Sequence, residues 1–129
     1  MMTLGEVRPA LVAALDTGQW PALGDMPDAV QPPCLVVAWS NPWLEVQTPC
    51  NYRASATVIC VANRLTPGTG LELLEQQVAF VIDAVQSQLR VPVPAVPGPQ
   101  ALDVAGVTYL TARVPVIVPV RIDSMEGAA

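Results

Sequence analysis

The stretch that most constrains the fold is residues 107–122. Thr108, Leu110, Ala112, Val114, Val116, Val118, Val120 and Ile122 share one parity and are apolar beyond the threonine. The other parity carries Tyr109, Thr111, Arg113, Pro115, Ile117, Pro119 and Arg121. Successive side chains of a strand point to opposite faces, so the pattern predicts one long strand with a continuous apolar face. Pro115 and Pro119 lie on the same parity, so their missing N–H groups point toward the same edge. That edge is expected at the sheet boundary, at least from residue 115 onward.

A second long strand is expected at Asn51–Ala62, where Tyr52, Ala54, Ala56, Val58, Cys60 and Ala62 alternate with Arg53, Ser55, Thr57, Ile59 and Val61. Cys34–Trp39, an apolar run after Pro32-Pro33, reads as a short buried strand. Ser40–Cys50 reads as a loop or irregular hairpin carrying Trp43. Gln100–Val104, a turn at Ala105-Gly106 and the last strand read as a hairpin. Between them, residues 18–33 form a linker rich in Pro, Gly and Asp. Val91–Pro99, with prolines at 92, 94, 97 and 99, should be an extended, stiff connector.

Two helices complete the pattern. Thr3–Thr17 opens with a Thr3/Glu6 capping box and places Leu4, Val7, Leu11 and Leu15 on one face. Pro9 is awkward there and suggests a helix starting near it; Gly18 is a natural stop. A second box, Thr69-Gly70-Leu71-Glu72, opens a helix to about Arg90. Its core stripe is Leu71, Leu74, Val78, Val81, Ile82, Val85 and Leu89, opposite Glu72, Gln76, Asp83, Gln86 and Arg90. Leu73 and Phe80 fall outside both groups and form a second apolar patch. The order of elements predicts one α+β domain over 1–129, with an antiparallel or mixed sheet of about four strands, two helices packed on it and a mobile polar tail at 123–129.

Chemistry is scarce. The chain has no histidine, which excludes Ser-His and Cys-His nucleophile systems and His-containing zinc sites. Cys34, Cys50 and Cys60 are odd in number and widely spaced, so no disulfide framework is expected, and Cys34 and Cys60 read as small core residues. Glu72 and Glu75 lie three apart on one helix, a spacing that on an exposed face serves solvation. Gly68-Thr69-Gly70 lacks the Gly-Lys-Ser/Thr ending of a phosphate loop, and the chain has no lysine. No catalytic residue, cofactor site or metal site is therefore expected, and the chain reads as a non-enzyme.

What the chain has instead is apolar surface. Only 13% of residues are charged, against roughly 25% in soluble domains, while 52% are hydrophobic. A surface short of charge favours association with neighbours. Candidate contact residues are Trp43, beside Pro42 in its loop, the Leu73/Phe80 patch, Arg113 and Arg121. The patch is either covered by a loop of the same chain or docked on another subunit. Phe80→Asp should leave the monomer folded and impair assembly; global unfolding would instead show that Phe80 belongs to the core. Net charge −5 argues against phosphate gripping. No apolar run is long enough to span a membrane, and Met1–Glu6 lacks the basic and apolar regions of a signal peptide, so a cytoplasmic product is expected.

Several features together resemble the tail terminator proteins of phages infecting actinobacteria. They are the opening Thr3-Leu4-Gly5-Glu6-Val7, Pro32-Pro33 feeding an apolar strand, the long helix after residue 69, and Val104-Ala105-Gly106-Val107-Thr108-Tyr109-Leu110. The absence of lysine alongside abundant Ala, Val, Pro and Arg agrees with a GC-rich host. The resemblance covers residues 3–122 and rests on order and texture; the Pro92–Pro99 series departs from it. It implies a virion subunit, assembled in the host cytoplasm, that forms a homohexameric ring. The ring would cap the tail tube, join the head-side connector and pass DNA without reading its sequence. Six copies at −5 would carry about −30, which suits a conduit that must not hold phosphate. The alternatives are another phage neck protein, a stopper or connector, and a small-ligand-binding or regulatory α+β domain. A carboxylate enzyme is weaker still.

Overall fold

The computed structural model describes residues 2–16, 18–49, 51–65, 68 and 70–122. Its elements are β1 (Met2–Thr3), α1 (Leu4–Leu15), β2 (Ala22–Leu23), β3 (Cys34–Thr48), β4 (Asn51–Arg64), α2 (Leu71–Ala84), β5 (Gln100–Val104) and β6 (Val107–Arg121). The last turn of the second helix, Val85–Leu89, widens into π geometry. The α+β architecture with a mixed sheet and two helices matches the expectation, but the sheet has six strands rather than about four. The additions are two-residue pieces, β1 parallel to β6 at Val120 and Arg121, and β2 parallel to β3 at Leu35 and Val36. Two residues have no period to read, so only tertiary pairing defines such strands.

The sheet order is β1-β6-β4-β3-β2, with β5 also on β6. β4 is the central strand, antiparallel to β3 and to β6 along nearly its whole length. Of the two expectations for residues 40–50, a loop or an irregular hairpin, the structure has the second: residues 40–48 continue β3, and Leu44–Val46 and Thr48 pair antiparallel with β4 after a register shift that follows Trp39. Extra residues at that shift break the period-2 pattern, which hid the strand from the sequence. Among the described residues, no strand lies outside β6 between Ala112 and Pro119. The proline-marked edge is therefore where expected, but it is closed at its ends by β5 at residues 107–111 and by β1 at 120–121. At the β5–β6 turn, Ala105 and Gly106 both have positive φ (51° and 81°), the conformation a two-residue type I′ hairpin requires.

Helices cover one sheet face. Val7, Leu11 and Leu15 of α1 and Leu74, Val81 and Val85 of the second helix pack on Leu35, Val37, Ala54–Cys60 of even number, and Ala112–Val120 of even number. Each strand thus contributes the face its alternation marks. The opposite face holds a smaller cluster in which Val30, from the segment before β3, covers Val36, Ile59, Val61 and Tyr109. Tyr109 donates from its hydroxyl to the Val30 carbonyl (3.3 Å), which pins that segment down. No helix among the described residues is long and apolar enough to cross a membrane.

α1 begins at Leu4, not near Pro9. Pro9 removes a hydrogen bond to the Gly5 carbonyl, but both residues are exposed, so water can serve that carbonyl. The N-terminus is held by Glu6, whose carboxylate accepts from the Thr3 N–H (2.9 Å) and the Thr3 hydroxyl (2.8 Å). These bonds, with the more distant Arg121 charge, hold Glu6 below its ordinary value of 4.5. A depressed folded-state pKa means the cap's contribution is complete above 4.5 and is lost as pH falls through the lowered value. Denaturant midpoints against pH should show this loss in the wild-type chain and lack it in Glu6→Gln. The α2 cap differs from expectation: Gly70, at φ 90°, is the N-cap, and Thr69 lies outside the described residues. The tail at 123–129 also lies outside them.

Candidate assembly surfaces

The groups that could do chemistry are few and withdrawn. Cys34 and Cys60 are free and buried, and burial pushes both thiols up, Cys60 to about 12. A thiol so protonated is no nucleophile at neutral pH. Cys50 lies outside the described residues. Glu72 and Glu75 are exposed on α2, as solvation would have it. Among the described residues, no three His, Cys, Asp or Glu side chains gather as a metal-binding group would.

Among the described residues, large apolar side chains are exposed at Met26, Trp43, Val46, Leu65 and Leu71, and two of these regions adjoin a cleft. The first is at the far end of β3, where Trp43 is 42% and Val46 65% exposed. Trp43 meets Trp39 edge to face, centroids 4.9 Å apart, and the pair overhangs Leu4, Gly5, Arg8 and Pro9 of α1 to leave a cleft of about 340 Å³. The second is a groove of about 420 Å³ between α2 and the proline connector. Leu71, Val78 and Ile82 form one wall, Val96 and Pro97 the other, with Ala112 of β6 also lining it. Leu71, expected on the core stripe, is 53% exposed at its mouth. Glu75 is the one charged residue among those lining the groove. Residues 90–99 run without helix or strand, as their prolines require.

The other expected contact residues divide. Leu73 and Phe80 are half-buried and pack against the main core. The Phe80 ring stands edge to face with Trp20 (5.7 Å, 67°) and lies over Gly18, where a β-carbon would overlap it. Of the two alternatives for this patch, cover by a loop of its own chain is what the structure has at Phe80. Arg113 lies on the sheet face away from the helices, opposite Ile59, and its Nε is buried without an acceptor. Arg53, on the same face, also has an unpartnered Nε, and its contact with Glu45 is a long 3.9 Å. Arg121 is exposed at the end of β6, near enough to Glu6 for its charge to be felt.

Gln77 was not anticipated. It is completely buried, and its Nε2 donates to the carbonyls of Val61 (3.0 Å) and Cys34 (3.4 Å), partners across the β3–β4 ladder. The signal was present: Leu74, Gln77, Val81 and Ala84 follow the helical period, so a polar residue occupies the core stripe. The chain is matched by no protein-family model, and comparison with curated proteins finds none similar to it in sequence.

Proposed function

We propose that the chain is a structural subunit that works by assembling with copies of itself, and specifically a tail terminator forming a ring between a phage tail tube and the head-side neck. The observation that carries the self-assembly reading is the separation of its apolar surfaces. Val46 pairs with Tyr52, which pairs with Val120, whereas the groove lies at Ala112, about 25 Å along β6. Two different patches at opposite ends of a strand suit a head-to-tail contact, which closes into a ring, better than a two-fold contact of one patch with itself. The terminator identity rests on the sequence resemblance. The acidic net charge is compatible with DNA passing through without being held.

The groove favours one other reading. Its volume lies within the range of small-molecule sites, and an apolar ligand could fill it. Such sites also carry several convergent polar groups, and this one has Glu75 alone. Native mass spectrometry of the purified protein, alone and with tail tubes, separates the two. Six subunits in either condition is the expected result. A monomer in both conditions that retains a small apolar ligand would overturn the ring in favour of the binding domain.

A further inference from the structure

Charge is segregated between the two central strands, β4 and β6, and the second helix. Neither β4 nor β6 contains an acidic residue, yet together they hold Arg53, Arg64, Arg113 and Arg121, four of the six arginines in the chain. α2 contains no basic residue and carries Glu72, Glu75 and Asp83, all exposed. Arg53 and Arg113 sit on the face turned away from the helices, so the sheet stands between them and these carboxylates. Within one copy these three carboxylates cannot reach the two arginines; Arg53 instead has Glu45 of β3 at 3.9 Å.

The arginine face is also unfinished. Val30 and its neighbours cover only the part around Val36, Ile59 and Tyr109. Beyond Arg113, this face of β4 and β6 presents Thr57 and Ser55 beside Pro115 and Ile117, all four partly exposed. Arg53 and Arg113 each have an Nε buried without an acceptor, but both side chains remain partly exposed, so a carboxylate from outside can meet the rest of the guanidinium. The spacing agrees. Arg113 stands opposite Ile59, six residues from Arg53, or about 20 Å along the strand. Glu72 and Asp83 are eleven residues apart on α2, about 17 Å of helix.

We propose that the acidic outer face of α2 in one copy docks on the Arg53/Arg113 face of β4 and β6 in the next. This rests on the self-assembly reading and adds a charged contact to the two apolar patches on which that reading stands. The two surfaces differ, so the contact is head-to-tail. A carboxylate lying over each arginine gives Arg113 a charged partner and Arg53 a closer one than Glu45.

Two reversed variants test the contact, Arg53→Glu/Arg113→Glu and Glu72→Arg/Asp83→Arg. Sedimentation velocity should show each alone associating roughly 100-fold more weakly than the wild type. An equimolar mixture should reassemble, because each variant's sheet then faces the other's helix with opposite charge. Circular dichroism melts establish that both are folded. Should one fail to fold, a salt titration of the wild type takes its place, with dissociation expected between about 0.1 and 1 M salt. Variants that assemble like the wild type, a mixture that stays apart, or salt-insensitive assembly would each overturn this contact and leave the ring intact. A wild-type chain that remains monomeric at every concentration and on tail tubes would overturn both.

Discussion

Gln77→Ala should lower the unfolding free energy by about 3 kcal/mol, while Gln77→Met should cost about 1 kcal/mol. Alanine removes a fully buried side chain, opens a cavity beneath α2 and takes away the donor to Val61 and Cys34. Those carbonyls lie on two strands, so this one amide ties the helix to both β3 and β4. Methionine keeps the volume. It also removes Oε1, which is buried without a donor and already weakens the native arrangement. Replacing a half-satisfied polar group by an apolar one of similar shape is far milder than truncating it. Denaturant unfolding at neutral pH decides the matter: equal losses for the two variants would mean that the hydrogen bonds, and not the packing, hold α2 down.

The parts of this fold that were legible in the sequence are those with enough residues to show a period. β4 and β6 announce both their faces, and the shared parity of Pro115 and Pro119 places the open edge of β6 before any partner is known. Ala105-Gly106 marks its hairpin because a short turn with positive φ tolerates few side chains. Legibility ends where pairing depends on distant residues. β1 and β2 exist because Met2-Thr3 and Ala22-Leu23 are delivered to strands that already have an open side. The outer half of β3 is held by β4 across a register shift, which no local rule foretells. Pro9 would end many helices, but here its orphaned carbonyl faces water.

For the candidate surfaces the same division holds. Arg113 could be assigned to the outer sheet face by parity alone, whereas the bareness of that face around it depends on how far the Val30 segment reaches. Trp43 was visible as an exposed aromatic, though as a loop residue and not as part of a long strand. Helical spacing set Leu73 and Phe80 apart from the core stripe, whereas both flank the buried row of Leu74, Gln77, Val81 and Ala84 and pack against the main core. It could not say that Gly18 and Trp20 of the linker lie against Phe80, because a wheel shows direction and not what lies there.

That difference reverses one expected result. Phe80→Asp should not give a folded monomer with an assembly defect; it should lower stability by at least about 3 kcal/mol and shift the monomer's own melting curve. The ring is packed against the main core and edge to face with Trp20, itself 7% exposed, so an aspartate there would bring a charge against buried aromatic surface. Phe80→Leu separates shape from polarity, since it keeps apolar contact and gives up the ring geometry, for a loss nearer 1 kcal/mol. A double-mutant cycle with Trp20→Leu should then return a coupling of about 1 kcal/mol, the usual worth of an aromatic pair beyond its buried area. If Phe80→Asp instead melts like the wild type, the linker does not close over the helix in solution. Phe80 would then return to the surface available to a neighbouring subunit.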